Sequence, residues 1–445
     1  MGNDEASESR EGSRRRGLRG LLVDVTPLRT SPAFAKLWTG TSVALIGAWI
    51  AFVAVGLHVY ALTDSTLAVA FVALWALGPM ILAGFVGGAL ADMFDRRKVA
   101  LVTATVAWLS IGTMTVIAFL DVTLTWPYYA LAAINAASAT ILGATRGAMM
   151  PRLLPTQLLP AAAALSGITM GLAITVGPAV AGVLVASVGF PWTYLMDVLL
   201  FSGAFLGLLS LPAMKPEGGS ASPGFSSVVE SMRFLRNAPN VRATFIFDLI
   251  AMIFGTPRVV FPAAGALVLG GGPVTVGILT ASFAAGALLS SLVSGPLGQV
   301  RRQGRAVTIA IAVFGVFTAL FGLVLLVTGT MVGEEGPNGV IVPAVVLAGI
   351  ALAGTGAADN VSAVFRTTIL QAAAPDDVRG RMQGLFYVVV AGGPRVGDLL
   401  AGAVATVIAL WAPALIGGIV IVALMLLRFR VARGCQPYGA RKPTP

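Results

Sequence analysis

The chain has 445 residues, of which 57% are hydrophobic and only 11% charged, with a formal net charge of +10. A soluble domain carries about 25% charged residues, so a water-soluble enzyme, a nucleic-acid-binding protein and a disordered chain are all poor readings. The composition is that of a polytopic membrane protein.

A spanning helix needs about 20 apolar residues, and the sequence predicts twelve of them. A basic tail over 1–35 precedes six spans at 36–61, 66–91, 98–120, 126–148, 158–187 and 191–213. A polar linker follows over 214–240, in which Phe225, Val228, Val229, Met232 and Leu235 recur at helical spacing, predicting a short amphipathic surface helix. Six further spans are predicted at 241–269, 273–299, 306–329, 340–365, 381–409 and 411–430, before a tail over 431–445. The fold class is therefore all-α, with an N-terminal half over 36–213 and a C-terminal half over 241–430.

Of the 29 basic residues, 27 fall in clusters at alternate ends of the spans, and the gaps near Asp64, Asp121 and Glu334 have none. This positive-inside pattern predicts that both termini lie in the cytoplasm of a cell bounded by this membrane. Arg258 and Arg395 remain, each inside an apolar segment. The one cysteine, Cys435, precludes an intrachain disulfide.

The two halves repeat each other. Ser31-Pro32-Ala33-Phe34 matches Ala238-Pro239-Asn240-Val241 at an offset of 207 residues, and Arg146 with Arg366 and Gly177 with Gly397 match at 220. A duplicated six-span unit is the pattern of an alternating-access transporter.

The segment Gly87-Gly88-Ala89-Leu90-Ala91-Asp92-Met93-Phe94-Asp95-Arg96-Arg97-Lys98, with a degenerate copy at Gly295 to Arg305, resembles the signature loop of the major facilitator superfamily. Shorter strings, among them Pro257-Arg258-Val259-Val260-Phe261-Pro262 and Arg379-Gly380-Arg381, resemble the branch of enterobactin and macrolide exporters. The resemblance implies proton-coupled export of a small molecule across the bacterial inner membrane, with the proton gradient in place of a cofactor. It also implies a gate in which Gly88, Asp92, Arg96 and Arg97 meet the start of the eleventh span near Arg379 and Arg381. Gly177-Pro178-Ala179-Val180-Ala181-Gly182 on the fifth span resembles the antiporter motif, with Ala181 replacing one glycine. Asn135 stands where the companion motif on the fourth span has an arginine.

An ionisable group at mid-membrane costs about 2.5–3.5 kcal/mol on insertion scales and usually faces a cavity or a partner. Asp248, Arg258, Asp359, Arg395 and Asp398 are such groups. Arg395 and Asp398 are three residues apart and are expected to pair, making Asp398 the first candidate for the coupling proton, with Asp248 and Asp359 as alternates. Both arginines follow a helix breaker, Gly255-Thr256-Pro257 and Gly392-Gly393-Pro394. Asp197, near the outer end of the sixth span, is expected to reach water and ranks last. His58 is expected to be a hydrogen-bonded interface residue.

Trp49, Asn135, Phe254, Phe386 and Tyr387 are candidate cavity residues, with Phe52 and Trp75 beside them. The expected partners are an amphipathic small molecule, protons and the lipid bilayer, with the chain acting as a monomer and without nucleic acid. Proton-coupled import of a nutrient is the alternative, and a non-transporting scaffold is a more distant one.

Overall fold

The computed structural model describes residues 25–214, 239–255, 258–292, 300, 303–333, 336–373 and 376–431, and among these the chain is helical without strands. After a short turn of helix at Thr26–Thr30, the N-terminal half consists of α1 (Pro32–Thr63), α2 (Thr66–Met93), α3 (Arg96–Phe119), α4 (Trp126–Leu153) and α5 (Leu159–Leu209). The C-terminal half consists of α6 (Pro239–Gly255), α7 (Phe261–Leu267), α8 (Gly272–Leu292), α9 (Gln303–Val332), α10 (Val342–Ala373), α11 (Asp376–Val407) and α12 (Ala412–Val431). The amphipathic helix expected in the linker lies outside the described residues.

Local chemistry sets the boundaries. Ser31 caps α1 by accepting from the Phe34 N–H at 3.2 Å, and Pro32 occupies the first turn, where its missing donor costs nothing. Asp64 ends the helix in a left-handed conformation, and Ser65 caps α2 through Ala68 N–H at 3.3 Å.

The fifth and sixth predicted spans form a single element, α5, whose two limbs over 159–188 and 190–209 meet at Gly189. Gly189 has φ +79° and ψ 178°, a combination that a side chain disfavours, and Pro191 follows on the next turn. Conversely, the seventh predicted span is broken. Helix α6 stops at Gly255, a 3₁₀ turn covers Arg258–Val260, and α7 resumes at Phe261. Eight helical stretches among the described residues are long and apolar enough to cross a membrane, counting the whole of α5 as one. The fourth, eleventh and twelfth predicted segments correspond to α4, α11 and α12.

The halves meet along two seams, α5 against α8 and α2 against α11. In the first, Gly182 and Gly277 bring the backbones into contact: a Cβ on Gly277 would lie 2.6 Å from the Pro178 carbonyl oxygen. In the second, the Thr66 hydroxyl lies 3.3 Å from both the Gly402 carbonyl and the Thr406 hydroxyl.

The cores differ at the two ends of the bundle. Toward the Asp64 turn, one apolar cluster joins both halves, from Ile50 and Val59 of α1 to Val260 and Phe261, Leu279 of α8 and Ala401 of α11. Toward Arg96, the described residues form separate cores, one around Ala104, Ile111 and Phe201 and another around Phe247, Phe314 and Ile421. Among the described residues the halves thus share one core at the Asp64 end and have separate cores at the basic end.

Candidate functional site

The break between α6 and α7 creates the central site. A small cavity of about 20 Å³ lies where the halves meet, walled by Trp49 and Ile174 of the N-terminal half and by Gly255, Arg258, Phe261, Thr280, Phe283, Leu352 and Thr355 of the C-terminal half. Interrupted helices free backbone groups that only a protein or water-lined cavity tolerates at membrane depth.

Arg258 sits on the 3₁₀ turn with its guanidinium carbon 4.9 Å from the centre of the Phe283 ring. That contact offsets part of the cation's desolvation, by about 0.5–2 kcal/mol. The lining combines apolar walls with a cation and threonine hydroxyls, the chemistry that suits an aromatic body with an anionic or hydrogen-bonding edge, around a space that in this state has room for about one water.

Asp398 of α11 lies within the electrostatic reach of both Arg258 and Arg395. Its Oδ1 is buried and accepts no hydrogen bond among the described residues, so the pairing expected with Arg395 does not satisfy both carboxyl oxygens. The relevant cation set is wider than the local i, i+3 pair, because the helix break brings Arg258 alongside.

A second charged group joins α6 to α10. Arg366 donates from Nη1 to Asp248 Oδ1 and from Nη2 to Asp359 Oδ1, the latter at 3.4 Å. Asp248 is 0% and Arg366 3% exposed, while Asp359 is 36% exposed. This corrects the assignment of Arg366 to the surface coat of topology-setting cations. Helix α10 continues to Ala373, carrying Arg366 inside the bundle, where two acids on one and the same cation replace solvation. The Asp359–Arg366 heptad spacing is the signal in the sequence that points to it.

At the loop expected to gate, Asp95 makes contacts of its own. Asp95 caps α3, accepting from Arg97 N–H at 2.9 Å and from Met214 N–H at 3.1 Å. Burial pushes its carboxyl upward, but the N–H donors of Met214, Arg97 and Lys98 together with the Lys98 charge outweigh that and hold it below the usual aspartate value. Arg97 donates to the Leu209 carbonyl at 2.8 Å, at the negative end of α5. These contacts fasten the loop within its own half. Gly88 and Asp92 belong to α2, and Arg379, Arg381, Phe386 and Tyr387 to α11, with side chains outside the described residues. Arg96 opens α3 and its backbone N–H donates to Met214.

The antiporter-like segment lines two contacts at once. A Cβ on Gly177 would lie 2.6 Å from Trp49 Cβ, and Gly182 meets Pro273 and Gly277 of α8. Pro178 and Gly182 thus stand on the seam between halves, with Gly177 behind the cavity wall. Asn135 is half-buried on α4, and Phe254 packs on the C-terminal core. Phe52 and Trp75 are exposed.

His58 is buried, with Nδ1 3.2 Å from the Tyr194 hydroxyl and its ring stacked on Phe190 at 4.2 Å. Asp197 departs furthest from expectation. It is 0% exposed, because α1 closes over the second limb of α5 and shields it from water.

The fold agrees with solved structures. The fold is similar to the nucleoside transporter NupG, with a TM-score of 0.64 at 14% identity over 89% of this chain and 99% of that one. It is also similar to a bacterial homologue of the iron transporter ferroportin in its inward-facing state, with a TM-score of 0.62 at 12% identity over 89% of this chain and 98% of that one. In sequence it is 27% identical to the enterobactin exporter EntS of Citrobacter koseri over 91% of this chain and 94% of the relative. The Salmonella typhimurium EntS is 26% identical over the same shares, 91% and 94%. Residues 23–436 match the family model described as transmembrane secretion effector. The chain is a multi-pass membrane transporter, not an enzyme, and it belongs to the transmembrane secretion effector family of the major facilitator superfamily.

Proposed function

We propose that the protein exports a small amphipathic molecule across the bacterial inner membrane by exchange with protons, alternating access between its two halves. The observation that carries this reading is the cavity between the halves, apolar and aromatic on most sides, with Arg258 on its wall and Asp398 in the field of Arg258 and Arg395. A catechol-bearing siderophore or a lipophilic antibiotic with an anionic group matches that lining. The enterobactin exporters among its relatives support the same substrate class.

With the basic loops facing the cytoplasm, the Asp64 end, where the halves share one core, faces outward and the end with separate cores inward, a state ready to load from within. Asp398 exchanges its proton for substrate. As a carboxylate beside Arg258 it accepts a hydrogen bond from a substrate hydroxyl, and protonation from the outside removes that acceptor and releases the substrate, so that proton and substrate bind in turn. The triad of Asp248, Arg366 and Asp359 is the second acidic station, nearer the cytoplasm. No cofactor takes part, and the monomer contains the whole path.

The test is efflux by cells producing the protein, run against a panel of siderophores and antibiotics with and without a protonophore. Export that stops with the protonophore is expected. In everted vesicles, Asp398→Asn is expected to lose pH-driven uptake but retain exchange, and undiminished driven uptake would remove Asp398 from the mechanism.

A further inference from the structure

Asp197 stands apart from the acids used above. It lies on the second limb of α5, on the far side of α1 from the cavity, with both carboxyl oxygens buried and neither accepting a hydrogen bond among the described residues. It forms no ion pair with a charged side chain among the described residues. Its own limb offers Tyr194, one turn away, whose hydroxyl already meets His58. Helix α3, packed on the same limb, offers Trp108, whose indole N–H lies 3.3 Å from the Val198 carbonyl and 3.0 Å from the Ser202 hydroxyl. Helix α1 presents Gly47, and its own titratable groups, Lys36, His58 and Tyr60, are eleven or more residues from that glycine, roughly 16 Å or further along the helix.

The contact with Gly47 is close. A Cβ there would collide with Asp197 Oδ1 and lie 3.2 Å from Leu200 Cβ. The same seam is glycine-backed on both sides, with Gly40 against the Gly203 carbonyl and Gly207 against the Lys36 carbonyl. A carboxylate in this position has neither a donor nor a counter-charge among the described residues, whereas the neutral acid carries no charge to solvate. The packing observed therefore accommodates the protonated form.

We propose that Asp197 is a further proton-binding site of this transporter, holding its proton between α1 and α5 outside the cavity, and that release of the proton loosens α1 from α5. The step is a simple ionisation: the O–H bond breaks, the electron pair stays on the carboxylate, and the proton leaves to water admitted as α1 moves. Trp49 is two residues beyond Gly47 and forms part of the cavity wall, so displacement of α1 reaches the substrate site directly. Proton occupancy of Asp197 stands independently of the export reading, while its effect on transport rests on it.

The experiment is pH-difference infrared spectroscopy of the full chain in phospholipid nanodiscs without substrate. Wild type is expected to show a protonated-carboxyl C=O band that is lost on alkalinisation, absent in Asp197→Asn and retained in Asp398→Asn. Spin labels on α1 and on the second limb of α5 are expected to move apart with rising pH in wild type and to stay together in Asp197→Asn. An Asp197→Asn spectrum with every band of wild type, or a label separation that still responds to pH, overturns the proposal. If Asp197→Asn does not fold, Asp197→Glu is expected to shift the band, and an unshifted band overturns it equally. A chain that binds this proton yet gives no protonophore-sensitive efflux refutes proton-driven export and leaves the site intact.

Discussion

Replacing Arg366 by methionine tests the charged group between α6 and α10. The pair with Asp248 is enclosed on both sides, at 3% and 0% exposure, so removing the cation leaves a carboxylate with neither water nor partner. Breaking such a pair costs about 3–5 kcal/mol. Asp359, at 36% exposure, retains solvent and adds little. Reversible unfolding in mixed micelles, followed by circular dichroism, is expected to show Arg366→Met destabilised by that amount. The double variant Arg366→Met with Asp248→Leu removes both charges and is expected to recover most of the loss, since an apolar replacement of a buried pair is often neutral or better. A loss below about 1 kcal/mol for Arg366→Met, or a double variant no more stable than the single one, would refute the burial argument.

Three further outcomes follow from the geometry. Gly277→Val places a Cβ 2.6 Å from the Pro178 carbonyl, an overpacking of about 1–3 kcal/mol at the seam; spin labels at Asp64 and Val407, on opposite halves, are expected to report a wider separation than in wild type. Arg258→Ala is expected to weaken efflux of anionic substrates by about tenfold or more, the worth of one charge-assisted hydrogen bond at about 1.5–3 kcal/mol, while neutral substrates lose less; equal loss for both in a competition assay counts against Arg258 as the anion partner. Asp95→Ala removes the cap of α3 and is expected to cost about 1 kcal/mol of stability. Because the folded chain favours the Asp95 carboxylate, its stabilisation is full above the ordinary aspartate range and fades as pH falls through its lowered folded value. Hydrogen exchange at Arg97 and Met214 is therefore expected to accelerate in acid in wild type and to lose that acid response in the variant.

Membrane class, two related halves and the superfamily loop are legible in the sequence because each is carried by composition or local repetition. Apolar length and charge placement need no knowledge of neighbours, since lipid imposes them on each segment separately. The break before Arg258 is legible for the same reason, as Gly255 and the proline after it act on their own turn of helix.

Partnership is not legible, because it depends on which helices touch. Charge placement alone groups Arg366 with the surface cations, whereas α10 carries it beside Asp248, 118 residues away in sequence. A position near the end of a span predicts a wet Asp197, yet the glycines of α1 and α5 let the two backbones close over it. Spacing pairs Asp398 with Arg395, while the fold adds Arg258 from a different element. The sequence by itself determined which segments are apolar enough to span the membrane and most of the charges they carry. Only the tertiary structure decided which of them neutralise one another, because burial and counter-charge are properties of contacts between helices.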